Sequence, residues 1–204
     1  MTGLTERMVD MIRIILTNVL TALYQPFGFA IILTVLFMFF YLYAKEHGWK
    51  TAMGNWWNAL KSDSLFRRLF AFVFYVAMIL FRTLLNRNIW ANPLSDVIGI
   101  WGLYNAEGEL TTEPIENVIL FIPFTILMFW CFNERQTGIE SSLLKVLWKA
   151  LKVTFLCSLT VECLQLFLRL GTFQLSDLFH NTLGGVIGGL IFWIGCKVRR
   201  QGDF

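Results

Sequence analysis

Charge is what this chain has least of. Only 15% of its 204 residues are Asp, Glu, Lys or Arg, against 56% hydrophobic residues and a mean hydropathy of +0.60. A net charge of +3 is too small to point to nucleic acid, and none is expected as a partner. Cysteine is scarce as well. Cys131, Cys157, Cys163 and Cys196 include no CxxC pair, so nothing suggests a zinc site or a redox couple, and buried free thiols are the expected state. No metal motif, nucleophile motif or strand–turn–helix nucleotide loop is present, and no cofactor or metal is expected. A signal-peptide pattern is missing too: Asp10 and Arg13 interrupt the N-terminal stretch, and no small-residue cleavage site follows.

What the chain does have is long apolar runs carrying 20 Phe and eight Trp. They predict an all-α polytopic membrane bundle of about five transmembrane helices plus an N-terminal amphipathic interfacial helix. Three segments follow: residues 1–25, the amphipathic helix; 26–68, the first span and a Trp-rich cytoplasmic loop; and 69–198, the transmembrane core. In the first, Leu4, Met8, Met11, Ile15, Val19 and Leu23 share one face, and Glu6, Arg7, Asp10, Arg13 and Asn18 the other. The spans are expected at Phe27–Tyr43, Leu69–Leu85, Ile115–Trp130, Val153–Leu170 and Asp177–Cys196, with Trp49, Trp56 and Trp57 as interfacial anchors. Pro123 marks a kink or break in the third.

Basic residues set the expected orientation. Lys45, Lys50, Lys61, Arg67, Arg68, Arg135, Lys145, Lys149, Lys152, Lys197, Arg199 and Arg200 are 12 of the 17 Lys and Arg, and all fall in alternate loops or the C-terminal tail. By the positive-inside rule these segments are cytoplasmic, which makes the 86–114 loop and the 171–176 turn face outward.

Against this apolar background the 160–185 stretch stands apart. Glu162, Gln165 and Arg169 are spaced i, i+3, i+7, one side of a helix, and Asp177, His180, Asn181 and Gly184 repeat the pattern on the next. Charged groups at bilayer depth cost a few kcal/mol, so they normally face a protein interior or a wet cavity. A short turn brings the two faces together, with Arg82, Glu116 and Asn117 near the same outward end. Glu162 and Asp177 are the candidate acid/base pair; Arg82, Asn117, Gln165, Arg169 and Asn181 are candidate substrate-binding residues. His180 beside a helix-start Asp reads first as an interfacial side chain, and Cys163 points about 100° away from Glu162. The glycines at 184, 185, 188 and 189 form two overlapping GxxxG registers for close helix approach.

Asn117, Phe121, Pro123, Phe124, Glu162, Gln165, Arg169, Asp177, Asn181, Gly184 and Gly185 match, in order, the pattern N-x-x-x-F-x-P-F, E-x-x-Q, R, D-x-x-x-N-x-x-G-G. In this the chain resembles the VanZ-like family over about residues 70–196. Arg82 and Asn92-Pro93 resemble its upstream elements less closely, and Thr125 and Ser176 depart from its commonest residues. The resemblance implies a bacterial membrane location and a link to low-level teicoplanin resistance. Together with the charge pattern it predicts a multi-pass cell-membrane protein with a cytoplasmic C-terminus. Its expected partners are membrane lipids, a lipid-linked cell-wall precursor or a lipoglycopeptide. Three activities fit the residues: a binder that holds such a molecule in an outward polar pocket, an intramembrane enzyme using Glu162 and Asp177, or a small flippase or proton-coupled transporter. The missing nucleophile and metal motifs favour the binder.

Overall fold

The computed structural model describes the chain except for residues 1, 25–26, 46–47, 86–91, 106–107, 133–141 and 203–204. Arg135, one of the twelve basic residues that set the expected orientation, lies outside the described residues. Among the described residues seven α-helices follow one another: α1 (Thr2–Tyr24), α2 (Phe27–Lys45), α3 (Trp49–Ser62), α4 (Ser64–Leu80), α5 (Glu113–Phe132), α6 (Leu143–Leu168) and α7 (Leu175–Gly202). A π-helical turn, Phe81–Leu85, extends α4. Among the described residues the extended structure is limited to an isolated bridge between Tyr104 and Leu110.

The protein is a helical membrane bundle. Among the described residues four segments are long and apolar enough to cross a bilayer: Ser64–Leu84, Glu113–Phe132, Leu143–Leu168 and Leu175–Arg199. A shorter apolar stretch, Ala30–Tyr43, lies within α2. Helix α1 is separate from these; its Asn18 side chain donates to Thr112 Oγ1 at 2.9 Å, just before α5 begins.

Boundaries differ from the hydropathy reading where caps decide them. Asp63 Oδ1 accepts from the Leu65 and Phe66 amides, so α4 starts at Ser64 rather than near Leu69. The segment read as a Trp-rich loop is helix α3, held to α2 by Phe39 stacking on Trp49 and Trp56 at 5.1 and 6.0 Å. Helix α5 continues through Pro123. A proline lacks the N–H that closes the preceding turn. Tyr75 Oη of α4 donates to the Leu120 carbonyl at 2.8 Å, next to the Ile119 carbonyl that Pro123 leaves without its helical amide.

Helix α7 is central because its glycines let two helices come close. Cβ atoms added at Gly184 and Gly188 would lie 2.1 and 2.4 Å from the Val118 and Ile122 carbonyl oxygens of α5. At Gly185 and Gly189 they would lie 2.0 Å from Thr154 Oγ1 and 2.8 Å from Ala150 Cβ of α6. One GxxxG register therefore seats α5 and the other α6. Helices α5 and α6 touch each other little, although Thr125 and Thr154 hydroxyls meet at 3.3 Å.

Candidate functional site

The C-terminal end of α6 and the start of α7 form a polar junction inside an otherwise apolar bundle. Glu162, 2% exposed, is reached by the α7 entrance: the Gln174 backbone N–H donates to its Oε2 at 2.9 Å. Gln174 immediately precedes α7, so the carboxylate meets the positive end of that helix, where a negative charge is stabilised. One turn along α6, Gln165 is 1% exposed and donates from Nε2 to the Thr83 carbonyl at 2.8 Å. The π-helical turn takes that carbonyl out of the regular α register, and Gln165 ties it to α6.

The other polar residues link α7 to its neighbours. Asn117 Nδ2 of α5 donates to Asp177 Oδ1 at 2.8 Å, and Asn181 Nδ2 donates to Ser158 Oγ of α6 at 2.9 Å. All four side chains are buried. The polar face of α7 is thus shared, Asp177 turning to α5 with Gly184, and Asn181 turning to α6 with Gly185. Arg82 pairs with Glu116, which also accepts from Thr112 Oγ1. Glu116 meets Arg82, Glu162 the Gln174 amide and Asp177 the Asn117 amide group. No group of three metal-ligating side chains forms among the described residues.

Arg169 is where the spacing argument fails. Helix α6 ends at Leu168, and Arg169 adopts a left-handed conformation (φ 56°, ψ 35°), with the Leu170 amide donating back to the Gln165 carbonyl. Glycine usually occupies this position of a helix stop. The reversal takes Arg169 off the Glu162–Gln165 face and leaves it exposed, with no side-chain partner among the described residues. His180 is buried, its ring 6.0 Å from that of Trp101. Cys163 is half-buried.

A lid that sequence reasoning missed closes the junction. Backbone amides of Phe173, Leu175 and Ser176 donate to the carbonyls of Pro93, Val97 and Ile98. Asp96 takes the Gly99 amide on Oδ1 and Gln174 Nε2 on Oδ2, and Trp101 lies over Phe179 at 5.2 Å. Gly99 has φ +70°, and a Cβ there would sit 2.0 Å from Ser176 Oγ and 3.0 Å from Gln174 Oε1. The backbone of the lid thus rests directly on the start of α7, which only glycine permits. Ser158 was within reach of the sequence: it lies four residues before Glu162, on the same face as Thr154. Gln174, a polar residue in a short turn, carries no comparable signal.

This arrangement of Asn117, Glu162, Gln165, Asp177 and Asn181 can be set beside known proteins. A family model described as VanZ/LLP1 matches residues 27–196. The chain belongs to the VanZ/LLP1 family. The matched region starts at α2, well before residue 70, where the motif resemblance begins. Protein VanZ of Enterococcus faecium is 32% identical over 89 residues, 44% of this chain and 49% of that protein. The chain therefore spans about half the length of the curated relative it matches. No solved structure matches. Within this VanZ-like chain, all seven residues singled out from sequence lie at one end of the bundle. Glu162, Gln165, Asp177, Asn181 and Asn117 are built into it. Arg82 stands beside it with its charge met by Glu116, and Arg169 lies outside at the rim.

Proposed function

We propose that this VanZ-like protein binds the polar head of a lipid-bearing cell-envelope molecule at the α6–α7 junction: a membrane lipid, a lipid-linked wall precursor or a lipoglycopeptide such as teicoplanin. The loop-charge asymmetry supports an outward-facing junction and a cytoplasmic C-terminus. One observation carries the reading. Six buried side-chain polar atoms among the described residues lack a hydrogen-bond partner, and the four oxygens among them all belong to this junction: Gln165 Oε1, Gln174 Oε1, Ser176 Oγ and Asn181 Oδ1. Buried polar groups are normally satisfied, so a cluster of unsatisfied ones at a bundle end calls for an outside partner. Holding the head fits these groups better than chemistry does, since Glu162 and Asp177 are engaged by the Gln174 amide and by Asn117.

Glu162→Gln is the discriminating variant, because a glutamine oxygen still accepts from the Gln174 amide while the charge is removed. In a glycopeptide-sensitive Gram-positive host, the wild type should lower susceptibility to teicoplanin and leave vancomycin susceptibility unchanged. The variant, at equal membrane level, should lose the protection. Equal protection by both removes Glu162 from the site, and protection by neither rules out the lipoglycopeptide as ligand.

A further inference from the structure

The junction adjoins an apolar groove on the side of the bundle. About 270 Å³ in volume, it lies between α4 and α6 over a floor of α5, with Val76, Leu80, Phe124, Leu156, Val161 and Leu164 among its walls. Leu80, Leu156 and Leu164 are exposed, so the groove opens sideways, toward the surface that faces lipid in a bilayer. From Leu156 to Leu164 it runs about 12 Å along α6, which fits within one leaflet of a hydrocarbon core about 30 Å thick. Its junction end is marked by the Gln165–Thr83 bond, whose residues follow Val161 and Ile79 of the groove by one turn each.

Gln165 therefore belongs to both regions, and the chemistry of its free atom is fixed. Its Nε2 faces a backbone carbonyl, which accepts only, so the unpaired atom must be the oxygen. The same logic fixes Gln174. Its Nε2 faces Asp96 Oδ2, leaving Oε1 unpaired and buried. Gln165 follows Glu162 by about one turn of α6, and Gln174 is the residue whose amide Glu162 holds. Both amide oxygens only accept hydrogen bonds and so call for donors, whereas Ser176 Oγ, also buried and unpaired, can donate or accept.

We infer that the groove and junction together take a membrane lipid whose head group donates hydrogen bonds, a primary ammonium being the best match. Its acyl chain lies between α4 and α6, and its N–H groups meet Gln165 Oε1 and Gln174 Oε1. This deepens the lipid-head reading above and rests on it. A head group of equal charge with its N–H donors methylated leaves the same oxygens unsatisfied and is discriminated against, as sites built for hydrogen bonding reject analogues that lack them.

The test uses the full chain in nanodiscs holding equal amounts of phosphatidylethanolamine and phosphatidylcholine with identical acyl chains. Lipids that stay bound on release are counted by native mass spectrometry. The ethanolamine lipid should be retained at least about fivefold over the choline lipid, the effect of one hydrogen bond of ordinary strength. Gln165→Met should lower the ratio by about fivefold, again the loss of one such bond. Thr160→Trp, which fills the groove from the lipid side, should lower total retention, and melting temperatures verify that both variants fold. Equal retention of the two lipids by wild type overturns the donor requirement and leaves lipid binding standing. Retention of neither overturns the lipid-head reading as well. A preference untouched by Gln165→Met removes that residue from the site, and unchanged retention by Thr160→Trp removes the groove.

Discussion

Replacing Gly184 by alanine tests the central claim about how the site is built. A Cβ there would stand 2.1 Å from the Val118 carbonyl oxygen, whereas ordinary contact begins at 3.4 Å, so α5 and α7 must separate by about 1.3 Å. Asn117 is the residue before Val118, and its 2.8 Å bond to Asp177 would stretch past hydrogen-bonding distance. Overpacking of this kind costs about 1–3 kcal/mol, and a lost bond to a carboxylate about 1.5–3 kcal/mol. Alanine regains about 1 kcal/mol of helix propensity. The net expectation is a loss of about 2–4 kcal/mol, or roughly 5–15 °C in thermal midpoint for a chain of this size. Gly195 supplies the control. It lies in the same helix with nothing within 4 Å of its added Cβ, so Gly195→Ala should be neutral or stabilising by up to about 1 kcal/mol. Both variants are melted in the same detergent and followed by tryptophan fluorescence. A Gly184→Ala protein that melts at or above Gly195→Ala would refute the close-approach argument.

Two further predictions concern the arginines. Arg82→Met should lower stability by about 2–3 kcal/mol because it strands Glu116, whose side chain is 14% exposed, and the Arg82→Met/Glu116→Met double variant should recover much of that loss in the same melts. Additive losses would show that the pair does not act as a unit. Arg169→Gly should relieve the left-handed backbone and raise stability by about 0.5–1 kcal/mol, while teicoplanin protection falls through loss of the rim guanidinium. Unchanged protection would make Arg169 a helix stop and nothing more.

Much of the site is legible in sequence for one reason: an ionisable or amide side chain inside an apolar run has few places to go. Asn117, Glu162, Gln165, Asp177 and Asn181 each proved buried and paired across helices. Helix existence follows from the same apolar runs. Phase at a helix end does not, since Arg169 keeps its i+7 spacing only if the helix continues, and the stop depends on a backbone reversal that spacing cannot show. Helix α3 was obscured because its tryptophans and lysines mimic an interfacial loop. The lid was invisible for a different reason. Its bonds from 173–176 to 93–98 run between backbone groups far apart in the chain, and backbone groups leave no mark in the side-chain pattern.

The division of α7 between two partners bears on how the protein is made. Helices α5 and α6 have little hold on each other, and both lean on glycines that arrive only with α7. A ribosome that has delivered α1 to α6 has therefore delivered Asn117 without its partner Asp177, and Glu162 without the Gln174 amide. Until α7 slides between its neighbours, that carboxylate lacks the backbone amide that caps it in the finished bundle. The nascent chain is most exposed to quality control in that interval. Substitutions along the 184–189 glycines should therefore show up first as lost protein in the membrane, before any change in what the surviving molecules bind.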